Sequence, residues 1–250
     1  IKGYLLTLVL GGGVLTGVLF ITTKLSDGFW IWLWIGLGGL MMLINMFYAD
    51  VIVPIFNKLT PLEEGSLREK IENYSKKVGY SLKNIYIIDG SKRSTKANAF
   101  FSGLGPRKTI ALYDTLIEKH TEPELVAVLA HEVGHYKKKH IFNSMLLTIL
   151  QLGLMCFLLE MCIKNPMVSK ALGGSGVVFH LGLLAFSILY SPVATLIGLF
   201  MNVLSRKNEY EADEYAKTTY DGEALQLALK KLSVDSLSNL YPHPWYVFMH

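Results

Sequence analysis

Residues with the spacing of metal ligands lie near the middle of the chain, at His131, Glu132 and His135. Two histidines four residues apart share one face of a helix, so both imidazoles can bind one metal ion. The glutamate between them can deprotonate a water molecule that the metal activates. The pattern is typical of zinc metalloproteases. It predicts His131 and His135 as ligands of one zinc ion and Glu132 as the catalytic base.

A catalytic zinc ion needs a third protein ligand and an open position for water. An acidic cluster farther along the chain contains Glu209, Glu211 and Asp213. Glu209 and Asp213 share a helical face, so we expect one to bind the metal and the other to accept a hydrogen bond from a ligating imidazole. Glu211 lies about 200° round the helix and is expected to face solvent. A charged helix face just outside a bilayer is the alternative explanation of this cluster.

The motif stands on a helix that other residues predict independently. Thr121, Pro123 and Glu124 have the types and spacing of a helix start, with Thr121 and Glu124 forming a capping box. An apolar face follows and leads into the motif. His120 and His140 flank this helix, and we expect both to be interfacial polar residues.

The motif helix belongs to a charged segment, residues 50–140, which predicts a soluble domain. Apolar residues at helical spacing predict a helix over 67–78. The run Ile-Tyr-Ile-Ile at 85–88 predicts a strand, and the segments 98–101 and 109–113 on either side of a turn predict a β-hairpin. Strands and helices together indicate an α+β domain.

Four long uncharged stretches predict membrane helices. The stretches are 3–23, 28–49, 141–159 and 171–205. The first two are close to the length of about 20 residues that crosses a bilayer, and the last is expected to be one helix kinked at Pro192. Because 51% of the residues are hydrophobic and only 18% are charged, the chain is too apolar for a single soluble globule.

These patterns predict a multi-pass α-helical membrane protein with a zincin-like α+β metalloprotease domain. The predicted parts are two membrane helices in 1–49, the soluble catalytic domain in 50–140, two membrane helices in 141–205, and the C-terminal part of the catalytic domain, with the third ligand, in 206–250. A net charge of +4 without a basic stripe interleaved with aromatic residues argues against a nucleic-acid partner.

Basic residues beside the predicted spans indicate the orientation. The runs 137–139 and 206–207 adjoin the side that carries the motif. The opposite loops offer only Lys24, Lys164 and Lys170. By the positive-inside rule, the catalytic domain is expected to face the cytosol. The membrane is then the bacterial inner membrane or the endoplasmic reticulum and nuclear envelope.

The chain resembles the type I CAAX prenyl endopeptidases, integral-membrane zinc proteases that are related to the HtpX-type proteases. The motifs that carry the resemblance lie at 48–50, 57–62, 90–94, 98–100, 131–135, 205–206 and 209–213. The resemblance implies one zinc ion held by His131, His135 and Glu209. It also implies Glu132 as the base and Asp213 as a residue that supports a ligand from behind.

The resemblance further implies a substrate peptide beside an edge strand at Asn98, Ala99 and Phe100, presented through backbone hydrogen bonds. The family removes the last three residues after a prenylated C-terminal cysteine. We therefore expect a zinc endopeptidase in the lipid bilayer that removes the C-terminal tripeptide of prenylated CAAX proteins. The alternative within the same chemistry is a quality-control protease that acts on unprenylated membrane proteins.

A non-catalytic zinc-binding membrane scaffold is the alternative from another class of protein. Glu132 distinguishes the two, because metal binding alone needs no base. A transporter would need ionisable residues along its spans, and these are nearly absent. The family's membrane region contains more helices than these four stretches, so we expect the chain to be part of a longer protein.

Overall fold

The structure is a computed structural model that describes residues 2–24, 27–91, 99–101, 108–237, 239 and 241–249. The helices are α1 (Lys2–Lys24), α2 (Phe29–Phe47), α3 (Val53–Phe56), α4 (Ser66–Lys77), α5 (Asp114–Lys119), α6 (Glu122–Lys137), α7 (His140–Lys164), α8 (Pro166–Ala171), α9 (Phe179–Thr219), α10 (Gly222–Asp235) and α11 (Pro244–Met249). The strands are β1 (Leu59–Pro61), β2 (Leu82–Ile88), β3 (Ala99–Phe101) and β4 (Lys108–Tyr113), and a π-helical turn, Tyr48–Ile52, follows α2.

The chain forms two compact units. The first, which we call the membrane unit, contains the residues up to 45 and residues 144–200. The second, which we call the site unit, contains residues 46–143 and those from 201 onward. The divisions fall within a few residues of the predicted limits at 49, 140 and 205.

Within the described part of the chain, four helices are long and apolar enough to cross a membrane: Gly3–Lys24, Phe29–Phe47, His140–Lys164 and Phe179–Thr219. They correspond to the four predicted membrane helices. The uncharged stretch from 171 overlaps the end of a separate helix, α8 (Pro166–Ala171), and the last span itself begins at Phe179. The side chain of Asn165 caps α8 by accepting from the Met167 amide at 2.9 Å, and Gly173, with φ of 85°, follows its end.

Two polar side chains in the membrane unit tie α2 to α7. The carboxylate of Glu160 accepts hydrogen bonds from the amides of Gly28 and Trp30 at 2.9 and 2.8 Å, at the start of α2. The indole of Trp34 donates to the carbonyl of Ile149 at 2.8 Å. A helix start and an indole would otherwise carry unpaired donors, which are costly in an apolar environment.

The site unit is built on a four-stranded sheet with the order β1-β2-β4-β3. β2 and β4 are parallel, whereas β1 pairs with β2 and β3 pairs with β4 in antiparallel fashion. The β3–β4 pair is the predicted hairpin, and its connection lies outside the described residues. β3 is an edge strand, in which Ala99 pairs with Leu112 and Phe100 with Ala111. Asn98, which is predicted to belong to this edge, also lies outside the described residues.

Helix α6 begins with the predicted capping box. Thr121 accepts from the helix backbone, and the Glu124 side chain accepts from the Thr121 amide at 2.9 Å. The apolar face of α6 is buried in the core of the site unit, at Leu125, Val126, Leu129, Ala130 and Val133. This packing fixes the helix that carries the motif.

A glycine within the motif lets two helices approach closely. A Cβ atom on Gly134 would lie only 3.1 Å from the Cα of Ala212 and from the Cβ of Tyr215. The missing side chain therefore allows the backbones of α6 and α9 to meet at this point. As a result, the acidic cluster on α9 lies beside the histidines of α6.

Candidate metal centre

The structure brings together the three residues predicted to hold the metal. The Nε2 atoms of His131 and His135 lie 3.1 Å apart. An oxygen of Glu209 lies 3.3 Å from Nε2 of His131 and 3.7 Å from Nε2 of His135. One ligand atom from each residue falls within a group whose members all lie within 4.8 Å of one another.

Asp213 supports the first imidazole from behind. Its Oδ1 atom lies 2.8 Å from Nδ1 of His131. A carboxylate only accepts, so Nδ1 donates to Asp213, and the other ring nitrogen, Nε2, faces Glu209. This geometry matches the role predicted for Asp213 and separates it from Glu209, which faces the imidazole Nε2 atoms.

The second imidazole has a support that the sequence analysis missed. Nδ1 of His135 lies 3.0 Å from Nδ1 of His140, and Nε2 of His140 lies 3.1 Å from Oε2 of Glu211. The expected interfacial position of His140 is wrong, because its side chain is buried. Glu211, which is expected to face solvent, is partly exposed, but its carboxylate also pairs with His140. Spacing on α9 alone gives no signal for this contact, which depends on a residue from another helix.

His120, the other flanking histidine, is likewise buried rather than interfacial. Its Nδ1 atom lies 3.1 Å from the carbonyl of Leu116, one helical turn earlier. It therefore takes part in the end of α5 and not in the metal centre.

The electrostatics of the centre suit the predicted chemistry. Burial raises the pKa of Glu132, an effect that the neighbouring imidazoles only partly offset. A carboxylate with a raised pKa is a better proton acceptor near neutral pH. Burial disfavours the charged form of His131, but its hydrogen bond with Glu209 and the other nearby carboxylates outweigh this and raise its pKa. The centre thus favours positive charge at the point where the ligand atoms converge.

An apolar recess adjoins the motif. Its volume is about 150 Å³, and it reaches His131 and Glu132. The apolar lining consists of Ala99, Leu116, Val128, Leu225, Leu229 and Leu232. Because Ala99 belongs to β3, the recess joins the edge strand to the residue that we predict to be the base.

The donor set fits a metal ion. If Nδ1 donates on both ligating histidines, both Nε2 lone pairs and the carboxylate of Glu209 converge without a proton between them. Such a group of acceptors is balanced by a cation, and two imidazoles with one carboxylate are a common catalytic zinc set. The fold and the centre together define the class: an integral membrane protein with several apolar helices and a group of side chains that could hold a metal ion.

The comparisons with known proteins identify the family. The model for Peptidase family M48 matches residues 61–247, and the model for the CAAX prenyl protease N-terminal region with five membrane helices matches residues 1–58. The chain therefore belongs to peptidase family M48, which implies a metal cofactor. The resemblance predicted from the motifs is confirmed.

Curated relatives and a solved structure agree with this assignment. The chain is 37% identical to a CAAX prenyl protease 1 homolog of Oryza sativa and 34% identical to CAAX prenyl protease 1 of Saccharomyces cerevisiae, over 100% of this chain and 59% of each relative. The crystal structure of S. mikatae Ste24p matches with a TM-score of 0.89 and 34% identity, over 100% of this chain and 62% of that one. The chain thus spans about three fifths of the length of these relatives.

Proposed function

We propose that the protein containing this chain is a membrane-embedded zinc endopeptidase that removes the C-terminal tripeptide of prenylated CAAX proteins. The observation that carries the proposal is the convergence of His131, His135 and Glu209 beside the half-buried side chain of Glu132. When bound, zinc would polarise the scissile carbonyl and lower the pKa of water.

Each residue of the centre then has a defined task. His131, His135 and Glu209 hold the metal. Glu132 accepts the proton of the attacking water and later gives it to the leaving amine, which its raised pKa favours. Asp213 keeps the Nδ1 proton on His131 and thereby keeps Nε2 free to act as a ligand.

The edge strand and the recess support the substrate class. A peptide that adds to the edge strand β3 would satisfy its backbone there, largely without regard to side chains. Its path along Ala99 would pass the apolar recess, whose volume of about 150 Å³ can hold an aliphatic side chain. A CAAX sequence has aliphatic residues directly after its cysteine. Asn98, Ala99 and Phe100 are therefore proposed as the substrate edge.

The membrane and the orientation are part of the proposal. The basic runs at 137–139 and 206–207 favour a site unit that faces the cytosol. The rice and yeast relatives are eukaryotic, which favours the endoplasmic reticulum and nuclear envelope over a bacterial membrane. Peptide and lipid are then the partners, and nucleic acid is not.

Replacement of the base tests the enzyme against the scaffold. In the purified full-length protein, Glu132→Gln should leave one zinc ion per chain and reduce peptide cleavage by about 10²–10⁴-fold, because only proton transfer is lost. Metal analysis and a fluorogenic peptide assay measure the two effects. Equal cleavage by Glu132→Gln and the unchanged protein would exclude Glu132 as the base.

A pair of peptides tests the substrate class. One peptide ends in a farnesylated CAAX sequence, and the other is the same peptide without the lipid. We expect cleavage of the farnesylated peptide after the modified cysteine and little cleavage of its unmodified partner. Equal cleavage of both would favour the quality-control protease, and cleavage of neither would favour the zinc-binding scaffold.

A further inference from the structure

His135 contacts a second histidine on the side away from the candidate metal centre. Its Nδ1 atom lies 3.0 Å from Nδ1 of His140, and the two rings are nearly perpendicular, with centroids 5.1 Å apart. Nε2 of His140 lies 3.1 Å from Oε2 of Glu211. His140 is only 4% exposed, so water competes little for these contacts.

One arrangement of protons makes both contacts of His140 hydrogen bonds and leaves Nε2 of His135 without a proton. The carboxylate of Glu211 only accepts, so Nε2 of His140 carries a proton. In neutral His140, Nδ1 then has a lone pair and accepts from Nδ1 of His135. The remaining nitrogen of His135, Nε2, is left unprotonated and points to Glu209.

The opposite arrangement is incompatible with metal binding by His135. If Nδ1 of His140 carried a proton, Nδ1 of His135 would have to accept it. Neutral His135 would then carry its own proton on Nε2 and could not donate a lone pair there. Only the first arrangement gives His131 and His135 the same form, with Nδ1 protonated and Nε2 free.

We propose that His140 and Glu211 are positioning residues that fix the tautomer and the ring orientation of His135 as a metal ligand. The proposal rests on the proposed function, because only a metal centre requires the free Nε2. The two ligating imidazoles are thus supported differently. Asp213 holds His131 directly, whereas Glu211 holds His135 through the ring of His140.

The second oxygen of Glu211 faces a basic residue and not the metal centre. It lies 3.8 Å from Nζ of Lys207, one helical turn earlier on α9. Glu211 therefore has no direct role in holding the metal. Its effect on the centre should pass through His140, which makes that effect separable from direct ligation by Glu209.

Zinc affinity tests the proposal, measured on the purified full-length protein by competition with a fluorescent chelator. Loss of a group that supports a metal ligand from behind typically weakens metal binding about 10–100-fold. We expect Glu211→Leu and His140→Leu to weaken zinc binding by about 10-fold or more. Glu211→Gln keeps an acceptor oxygen and should lose less. Glu214→Leu, on the same helix, is the matched control and should bind zinc as the unchanged protein does.

The visible spectrum of the cobalt-substituted protein gives a second measurement that does not depend on activity. Glu211→Leu should change its ligand-field bands, because His135 is no longer held in one orientation, whereas Glu214→Leu should not. If the unchanged protein binds zinc and Glu211→Leu has the same affinity and spectrum, the positioning role is wrong and the proposed function stands. If the unchanged protein binds no zinc, the positioning role and the proposed function are both wrong. Glu211 is partly exposed, so its variants decide the matter even if His140→Leu does not fold.

Discussion

Large apolar side chains have opposite environments in the membrane unit and the site unit. Leu8 on α1 and Leu196 on α9 are 73% and 69% exposed, whereas Leu129 on α6 is 1% exposed. In the membrane unit these side chains are suited to lipid, so apolar residues occur all round the helices. In the site unit they form a core that holds the motif helix. The same residue type therefore anchors one unit in the membrane and gives the other its precise geometry.

The largest loss of stability should come from truncating a leucine in the core of the site unit. Leu129→Ala removes a fully buried side chain two residues before the motif and should destabilise the protein by about 2–5 kcal/mol. Leu196→Ala, in the membrane unit, should change stability by less than about 0.5 kcal/mol. Thermal unfolding of both variants in detergent gives the comparison. Equal losses would show that the two environments do not differ as the structure indicates.

Substitutions at two glycines compare a close helix contact in the site unit with an open position in the membrane unit. Gly134→Val places a branched side chain where even a Cβ lies 3.1 Å from Ala212, which should cost about 1–3 kcal/mol. The shift between α6 and α9 should also reduce peptide cleavage about 100-fold, because catalytic groups tolerate displacements of less than about 1 Å.

Gly198→Val is the matched control, since nothing lies within 4 Å of a Cβ at that position. It should leave cleavage unchanged and lower the unfolding temperature only slightly. A variant of Gly134 with full activity would mean that the close approach of α6 and α9 is not needed to assemble the centre.

The smallest effect concerns a buried charge in the site unit. Burial works against ionisation of Glu124, but hydrogen bonds from Lys231 and the Thr121 amide outweigh it and lower the pKa of the carboxyl group. Because the folded state has the lower pKa, the stabilisation is complete above the unfolded carboxyl pKa of about 4.3 and is lost as pH falls through the folded value.

Glu124→Gln should therefore cost about 1 kcal/mol at pH 7 and progressively less in acid. Unfolding midpoints of the variant and the unchanged protein, measured from pH 7 to pH 3, give the difference. If the difference in unfolding midpoint grew as pH falls, the ionised Glu124 carboxylate would not be the source of the stabilisation.

Much of the fold could be predicted because the relevant physics is local. Hydropathy along the chain locates the four spans, and the capping box at Thr121 locates the start of α6. The limits of the last span were less predictable. Asn165 begins the separate helix α8 and Gly173 follows its end, and α9 then runs as one helix to Thr219, carrying the acidic cluster with it.

The candidate metal centre could also be predicted only in part. The i, i+4 spacing of His131 and His135 follows from the helix itself, and so does the separation of Glu209 from Glu211 on α9. A helical projection describes one helix and cannot show what packs on its other side. For this reason the sequence predicts a solvent-facing Glu211 and a His140 at the membrane interface. It gives no sign that the two side chains contact each other.

The sequence by itself determined the apolar helices, the motif helix and the residue types that can bind a metal, because these depend on neighbours a few positions apart. Only the tertiary structure decided which oxygen faces which nitrogen. Asp213 lies 82 positions from His131 along the chain, and Glu211 lies 71 positions from His140. His131 and Asp213 lie on α6 and α9, which approach closely at Gly134, a contact that no local pattern encodes.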